Sequence, residues 1–302
     1  MKNRIIFILG PTSSGKTKVA IEFAKKINGE IVSCDSMQVY KDMDVLTQTP
    51  IDSLLREAPH HLLKVISPEQ EFNAAKFVDM ALKAINDIQV KGKVPIFAGG
   101  TGLYVKALVD GMFPAPPKDE TLREELFQLA QKMGNEYLYS ELKKVDPDTA
   151  SRLHSNDLRR IVRALEIFTL TGKTMNEKKS ETRGVSKKYD CLMFGLSLPR
   201  KTLYARIEKT VDKMFSEDLV GEVQKLRTRK LSLTATRALG IKEVSAYLDG
   251  EVTLSEAKDE LKKNTRRYAK RQLTWFRADG RIEWIDADRD VTTIIDDIVC
   301  RI

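Results

Sequence analysis

The sequence predicts an α/β protein whose core is a doubly wound parallel sheet, with a helical domain inserted into it. Three observations predict this fold. Short apolar runs alternate with helical patterns through the first hundred residues, and a glycine-rich loop joins the first run to the first helix. A proline-rich stretch then introduces a segment that shows helical patterns alone. This order is typical of a sheet interrupted by an all-helical insertion.

The apolar runs Ile5–Leu9, Ile31–Cys34 and Val94–Ala98 are predicted to be buried strands. Lys16–Ile27 and Ala74–Val90 are predicted to be the helices between them. Strands that alternate with helices pair in parallel, because each helix carries the chain back across the sheet. We therefore expect helices on both faces of the sheet.

The stretch Phe113–Lys118 has three prolines in four residues, and it predicts a domain boundary because it cannot continue a helix or a central strand. From residue 119 to about residue 179 the pattern is helical, and strand character returns at Tyr189–Leu198. The predicted domains are an α/β core of residues 1–113 and 190–302, with basic C-terminal helices, and a helical insertion domain of residues 114–189.

Two helices are predicted in the C-terminal part. Apolar residues at helical spacing from Leu203 to Leu226 predict one long amphipathic helix. A last helix is predicted over residues 255–278, because a capping-box pattern starts at Thr253. It carries eight Lys or Arg against three acidic residues, which is typical of a surface that binds an RNA backbone. Trp275 and Phe276 are predicted to be core residues rather than platforms for base stacking.

The stretch GPTSSGKT matches the P-loop pattern in full and lies between a strand and a helix, as that pattern requires. The core is therefore predicted to be P-loop NTPase-like. Backbone N–H groups and the helix N-terminus would bind phosphate oxygens, Lys16 would add a positive charge, and the Thr17 hydroxyl would ligate Mg²⁺. The predicted diphosphate- or nucleotide-binding residues are Gly10, Pro11, Thr12, Ser13, Ser14, Gly15, Lys16 and Thr17.

An ordinary P-loop ATPase also has a strand that ends in an acidic Mg²⁺ ligand. Here the candidate strand Val94–Ala98 is followed by the turn Gly99–Gly102, which has no carboxylate. The bound phosphate therefore need not belong to an ATP that is hydrolysed.

Polar residues follow two of the predicted strands, at the sheet edge that lines the ligand crevice. Asp35 is placed there to act as a general base, and the amide of Gln38 is suited to an adenine edge. Thr101 lies in the glycine-rich turn, where its hydroxyl is placed to contact a leaving-group oxygen. The residues alone leave open that Asp35 caps its own turn, that Gln38 is simply exposed and that Thr101 is structural.

Composition narrows the classes of function. The 302 residues are 42% hydrophobic, as expected of a globular protein, and the net charge of +8 suits a polyanionic partner. Three cysteines without a C-x-x-C pair and three scattered histidines argue against a disulfide scaffold or a zinc site. Because no apolar stretch approaches membrane-spanning length, we expect a cytoplasmic protein with no membrane partner, and a monomer by default.

Five motifs together resemble one family, the tRNA dimethylallyltransferases, also called IPP transferases. In chain order they are GPTSSGKT, DSMQVY, GGTGLY, HSNDLRRIVRALEI and RRYAKRQLTWFR, and they extend from near residue 5 to near residue 280. The resemblance implies transfer of the dimethylallyl group of dimethylallyl diphosphate to N6 of adenosine 37, beside the tRNA anticodon. It also implies Mg²⁺ as cofactor, pyrophosphate as second product and the tRNA anticodon stem-loop as partner.

The resemblance assigns roles by matched position. Asp35 would accept the N6 proton, Thr101 would contact the bridging oxygen of the diphosphate, and Arg206 would add charge to the departing group. At Arg159 the family commonly has glutamine, and a salt bridge with Glu166 is an alternative role for Arg163. The implied tRNA contacts are Asp35, Ser36, Met37, Gln38, Thr101, Arg123, Arg159, Arg160, Ile161, Val162 and Arg163.

Three other functions remain open from the sequence. A small-molecule kinase also places an acid after its second strand, but it needs ATP and has no need of a basic insert. Prenyl transfer to free AMP or ADP would use the same chemistry, although the insert and the basic helix favour RNA. A non-catalytic RNA-binding module is disfavoured because Lys16, Thr17, Asp35 and Thr101 are all intact.

Overall fold

The computed structural model describes residues 3–112, 116–179, 182 and 184–302. The chain divides into two compact units, one formed by Met1–Val109 and Lys188–Ile302 and the other by Asp110–Lys187. The helical insertion domain predicted at residues 114–189 therefore corresponds to a unit of residues 110–187. The first half of the proline-rich stretch, residues 113–115, lies outside the described residues.

Within the described residues, the larger unit contains a six-stranded parallel sheet, which confirms the predicted fold class. Across the sheet the strand order is β3-β2-β4-β1-β5-β6. The strands are β1 (Arg4–Leu9), β2 (Gly29–Ser33), β3 (His60–His61), β4 (Val94–Gly99), β5 (Asp190–Ser197) and β6 (Ile282–Asp286).

Helices connect these strands and also build the smaller unit. Two short 3₁₀ turns accompany them at Val185–Lys187 and Ala235–Arg237. In chain order the helices are α1 (Lys16–Ile27), α2 (Asp44–Thr47), α3 (Asp52–Glu57), α4 (Ala74–Val90), α5 (Gly102–Val109), α6 (Glu120–Met133), α7 (Asn135–Val145), α8 (Pro147–Ala150), α9 (Leu158–Thr171), α10 (Met175–Lys179), α11 (Arg200–Ser216), α12 (Leu219–Arg227), α13 (Ile241–Leu248), α14 (Leu254–Arg277) and α15 (Val291–Val299).

The central strands are buried because their sequence is apolar on both faces. In β1, the residues from Ile5 to Leu9 are fully buried, as expected of a parallel strand with helices on both sides. Phe7 stacks on Phe97 of the neighbouring β4, with ring centroids 5.1 Å apart. Parallel pairing brings the carboxyl ends of β1, β2 and β4 to the same edge of the sheet. The segments that follow these three strands carry the phosphate loop, Asp35 and Thr101.

The prediction of one long helix from Leu203 to Leu226 is wrong, because the segment forms two helices, α11 and α12. The break lies at Asp218, whose φ of 66° is left-handed. Its carboxylate caps α12 by accepting from the N–H of Gly221 at 3.1 Å. A Cβ at Gly221 would lie 2.3 Å from that carboxylate, so glycine leaves room for the cap.

The prediction for the C-terminal region is also partly wrong. Helix α14 starts at the capping box formed by Thr253 and Glu256, as predicted. It is not the last helix, because it is followed by β6, which joins the sheet, and by α15. Phe276 is buried as predicted, but Trp275 is 41% exposed.

Where the structure describes the smaller unit, its regular elements are all helical, as the sequence predicts. The carboxylates of Asp119 and Asp146 cap α6 and α8, and Gly172 ends α9 in the left-handed conformation. Its core contains Leu138, Leu142 and other apolar residues from α6 to α9, namely Ala130, Ala150, Ile161, Val162, Ala164 and Leu165.

Candidate active site

The phosphate loop follows β1 and has the backbone conformation that the motif predicts. Gly15 directly precedes α1 with a φ of 93°, a left-handed value that favours glycine. The Nζ of Lys16 donates to the carbonyl of Pro11 at 2.7 Å, which folds the lysine back along the loop. The Ser13 hydroxyl lies 3.2 Å from the hydroxyl of Thr210 on α11, so this helix covers one side of the loop.

Lys16 has an altered proton affinity. Burial lowers its pKa to about 8, and the nearby carboxylate of Asp35 acts in the opposite direction. The interaction shows that the charge of the phosphate loop faces the acid that follows β2. A lysine with this pKa gains from the approach of a polyanion, because added negative charge favours its protonated form.

Asp35 lies in a turn just beyond β2. Its Oδ1 accepts the N–H of Met37 at 2.9 Å, so the carboxylate caps this turn, as one of the open alternatives foresaw. The side chain is nevertheless only half-buried and lines the same pocket as the phosphate loop. The hydrogen bond therefore orients the carboxylate and leaves it accessible to a ligand.

Thr101 is joined to this turn. Its Oγ1 accepts the N–H of Ser36 at 3.0 Å, and its own N–H donates to the carbonyl of Cys34 at 3.2 Å. The two backbones approach closely at Gly99, where a Cβ would lie only 2.2 Å from the oxygen of Cys34. Glycine is thus required at the end of β4 for Thr101 to reach the segment that carries Asp35.

A pocket of about 990 Å³ brings the phosphate loop and Asp35 together, and Thr101 adjoins it through its hydrogen bond to the lining residue Ser36. Its walls include the phosphate loop with Lys16 and Thr17, the turn with Asp35, and part of α14. The structure therefore places a cationic phosphate-binding loop opposite a carboxylate, with room for a ligand between them.

Gln38 also lines this pocket, but its amide already has partners in the protein. Its Oε1 accepts from the hydroxyl of Ser33 at 3.0 Å, and its Nε2 donates to the carbonyl of Thr47 at 3.3 Å and that of Gln48 at 3.4 Å. The two long bonds to carbonyls are weak, so the amide is held in place but can exchange them for a ligand.

Arg206 of α11 lies at the rim of the phosphate loop. Its guanidinium contacts the carbonyls of Ser14 and Ala287 at 3.5 Å and the carboxylate of Asp288 at 3.6 Å. With 39% of the side chain exposed and all three contacts long, the guanidinium is free to turn toward an anion in the loop.

Sequence reasoning missed one face of α14. Leu261, Thr265, Tyr268 and Gln272 recur at helical spacing and all line the pocket. The amide of Gln272 is 5% exposed and contacts both the phosphate loop and the turn before Thr101. Burial is the main cause that raises the pKa of Tyr268, with a further contribution from Asp35, so its phenol is neutral and also interacts with Thr101. The sequence contained a signal for this face of α14, because its polar residues lie within a stripe that is otherwise buried.

The outward face of α14 is less available to RNA than its charge suggests. Lys258 and Lys262 both bind Asp212 of α11, at 2.9 and 2.8 Å, and Arg266 binds Glu208 at 3.0 Å. Other basic residues remain exposed around a second cavity of about 960 Å³ that the exposed ring of Trp275 also lines. These exposed cations are Arg267, Lys270 and Arg271.

In the smaller unit, two of the predicted tRNA contacts are engaged elsewhere. Glu166 is fully buried, and both Arg123 and Arg163 donate to its carboxylate. Burial alone raises the pKa of Glu166, but the hydrogen bonds from the two arginines outweigh this and hold its pKa below the usual range. The salt-bridge alternative for Arg163 is therefore confirmed, and Arg123 shares the same partner.

The segment 159–163 has two different faces. Arg159 and Arg160 are exposed on α9, and Arg160 pairs with Asp157 at 2.7 Å. Ile161 and Val162 are buried in the core of the smaller unit. Their side chains offer no surface to RNA, so the predicted tRNA contact in this segment is limited to its arginines.

No ready-made metal cage is present in the part of the chain that the structure describes, since no three His, Cys, Asp or Glu side chains cluster there. The Thr17 hydroxyl in the pocket beside the phosphate loop is the donor expected of a P-loop. This donor set fits a Mg²⁺ that is held mainly by phosphate oxygens and water.

The described residues also contain no helix with both the length and the apolar character needed to cross a membrane.

The fold and the site define a P-loop α/β protein whose pocket suits transfer of a group away from a bound phosphate. The model of the IPP transferase family matches residues 38–279, which is most of the chain. The chain therefore belongs to the IPP transferase family.

Relatives of known name and structure agree with this assignment. The chain is 44% identical over 300 residues to tRNA dimethylallyltransferase 2 of Geotalea uraniireducens, covering 99% of this chain and 97% of the relative. A solved tRNA isopentenylpyrophosphate transferase of Bacillus halodurans is 40% identical, with a TM-score of 0.72 over 99% of this chain and 97% of that one. A eukaryotic dimethylallyltransferase solved acting on tRNA is 29% identical, with a TM-score of 0.82 over 99% and 77% of the two chains.

Proposed function

We propose that the chain is a tRNA dimethylallyltransferase that moves the dimethylallyl group of dimethylallyl diphosphate to N6 of adenosine 37. The observation that carries the proposal is the pocket in which the phosphate loop faces Asp35. A prenyl diphosphate and an exocyclic amine need these two features on opposite sides of the reacting carbon. Family membership and the relatives' activity support the same reaction.

The phosphate loop is proposed to hold the departing diphosphate. Its backbone N–H groups, the N-terminus of α1 and Lys16 all present positive charge to the pocket. Arg206 at the loop's rim adds a further cation, and the Thr101 hydroxyl, which is bonded to the turn of Asp35, is proposed to contact the bridging oxygen. Stabilising the leaving group matters because an exocyclic amine is a weak nucleophile.

Thr17 is the residue proposed to hold Mg²⁺ together with diphosphate oxygens. When bound, the ion would neutralise charge that develops on the diphosphate. The protein residues then need only position the donor and exclude competing ligands from the pocket.

Asp35 is proposed to accept the proton that N6 loses when the new C–N bond forms. The hydrogen bond from Met37 engages one carboxylate oxygen, and Asp35 lines the pocket in which the amine would lie. The bond from carbon to the diphosphate oxygen breaks as the bond to N6 forms, and pyrophosphate leaves on the side of Lys16.

The tRNA partner is proposed to be the anticodon stem-loop, with adenosine 37 turned out of its stack into the pocket. The neighbouring residues Ser36, Met37 and Gln38 line the pocket where the purine would lie. The exposed Arg159 and Arg160 of α9 are the proposed phosphate contacts in the smaller unit. A cytoplasmic monomer is the proposed working form.

The decisive experiment incubates the full chain with an unmodified anticodon stem-loop, Mg²⁺ and dimethylallyl diphosphate, and then identifies the nucleosides by mass spectrometry. N6-dimethylallyladenosine at position 37 is expected. Parallel reactions with radiolabelled ATP and with free AMP as acceptor test the kinase and free-nucleotide alternatives. Transfer of label from ATP, or prenylation of AMP in preference to RNA, would overturn the proposal.

A further inference from the structure

Gln272 of α14 lies between the two halves of the pocket and makes one hydrogen bond to each. Its Oε1 accepts the N–H of Thr12 in the phosphate loop at 2.9 Å. Its Nε2 donates to the carbonyl of Gly100, directly before Thr101, at 3.0 Å. The side chain is 5% exposed, and its bond to Gly100 is buried while its bond to Thr12 is partly buried. A single amide thus connects two segments that are far apart in sequence.

The surroundings of Gln272 fit an amide side chain in both shape and hydrogen bonding. A Cβ at Gly100 would lie 2.1 Å from the Nε2 of Gln272, so the amide occupies the room that the glycine leaves. A carboxamide is the side chain that both donates and accepts at its tip, and each function here faces its complement. A buried apolar residue of similar size would fill the space but would leave the N–H of Thr12 and the carbonyl of Gly100 unpaired.

We infer that Gln272 is a positioning residue for the diphosphate donor, an inference that rests on the proposed function. Thr12 belongs to the loop proposed to bind the diphosphate, and Gly100 belongs to the turn that places Thr101. The amide fixes the spacing between these two segments before the donor arrives. We do not assign it as a contact for RNA, because both ends of its amide are already paired within the protein.

The first test replaces Gln272 with methionine, which keeps the length of the side chain and removes both hydrogen bonds. In the full chain, the affinity for Mg²⁺–pyrophosphate is expected to fall about tenfold. The kcat/KM for dimethylallyl diphosphate is expected to fall by at least as much. The Kd for the anticodon stem-loop should stay within about twofold. Calorimetry measures the first quantity without any turnover.

The second test separates positioning from packing. Gln272→Glu keeps the acceptor for Thr12 but places a second carboxylate oxygen against the carbonyl of Gly100. When the introduced carboxyl is protonated, it donates to that carbonyl and accepts from Thr12, as the amide does. The ratio of variant to wild-type pyrophosphate affinity should therefore recover as the pH falls from about 8 to about 6. Gln272→Met should show no such recovery.

The charged groups that face this position are shared by variant and wild type, so the ratio removes their own titration. They include Lys16 on α1, Asp35 beyond β2 and Arg271 on α14, and Tyr268 on α14 adds a titratable phenol that is neutral. Gln224→Glu, at an exposed position of α12, makes the same chemical change away from the pocket and should behave as wild type at every pH.

Three results would overturn the inference. They are wild-type pyrophosphate affinity in folded Gln272→Met, a constant ratio for Gln272→Glu across the pH range, and a loss confined to RNA affinity. If the wild type binds pyrophosphate but transfers no dimethylallyl group, the proposed function fails while the binding measurements still decide the role of Gln272.

Discussion

The two units of the molecule hold their predicted functional residues in different ways. In the α/β core, the phosphate loop presents backbone N–H groups whose direction is set by glycine conformation and by the start of α1. In the helical insert, the predicted RNA contacts are long charged side chains on α6 and α9. Two of these, Arg123 and Arg163, turn inward to a buried glutamate.

The difference shows what a sequence motif can specify. A loop of fixed spacing between a strand and a helix directs backbone N–H groups and the helix N-terminus at an anion, even though the N–H of Thr12 is bonded to Gln272 here. An arginine on a helix can bind either an RNA phosphate or a carboxylate in its own domain, and nothing in the local sequence decides between them. The predictions below test this contrast.

The largest effect is expected in the insert, from Glu166→Ala. The change leaves the guanidinium groups of Arg123 and Arg163 without their buried partner. Breaking a buried ion pair by removing one member costs about 3–5 kcal/mol. The free energy of unfolding should fall by this amount in urea titrations that monitor the helices of the insert.

The matched control is Glu141→Ala on α7, which removes an exposed pair with Lys144 and should change stability far less than Glu166→Ala does. The pKa of Glu166 is lowered, so its contribution is present above its ordinary pKa and is lost as the pH falls below that range. Equal stability of the two variants would show that both arginines are available for RNA after all.

The next effect is expected in the core, from Asp35→Asn. The asparagine keeps an acceptor for the N–H of Met37, so the turn is preserved while the base is lost. Turnover should fall by about 10²-fold or more, with little change in the Kd for the anticodon stem-loop. Asp42→Asn, at an exposed site paired with Arg229, is the control in single-turnover assays. Normal turnover in the Asp35 variant would remove the proposed base from the mechanism.

A smaller effect is expected from pH, through Lys16. Its pKa is lowered to about 8, so the lysine loses its proton as the pH rises through that value. The affinity of the empty pocket for pyrophosphate should then weaken by up to about tenfold for each further pH unit. Lys16→Arg stays charged and should show a flatter profile in calorimetric titrations. A wild-type affinity that is constant between about pH 7 and 9.5 would contradict the assignment.

Sequence reasoning predicted the parts of the site that are fixed by backbone geometry. The positions of the phosphate loop, Asp35 and Thr101 follow from the rule that polar residues after parallel strands meet at one sheet edge. The break at Asp218 was harder to predict, because apolar residues continue at helical spacing across it. Only the cap that Asp218 forms with Gly221 reveals the break. The roles of Tyr268 and Gln272 depend on which face of α14 is buried. The many positive charges of this helix made the buried face hard to recognise from the sequence.

The smallest effect is expected from Arg159→Ala. This variant completes the comparison of the core with the insert. Arg159 is exposed on α9, on the same helix as Arg163, whose guanidinium is paired with Glu166. If Arg159 binds a tRNA phosphate, its loss should weaken binding a few-fold and reduce the slope of log K against log salt by about 1.

Lys132→Ala, an exposed lysine on α6, removes the same charge from the same unit and should leave both quantities unchanged. A variant of Arg159 that binds tRNA with the wild-type salt slope would place the RNA surface of the insert elsewhere. The comparison would then be sharper, because Arg160 would be the remaining exposed candidate among the predicted RNA-binding arginines of the insert. A reduced slope would instead show that exposure, read from the structure, separates RNA-binding arginines from those that hold the insert together.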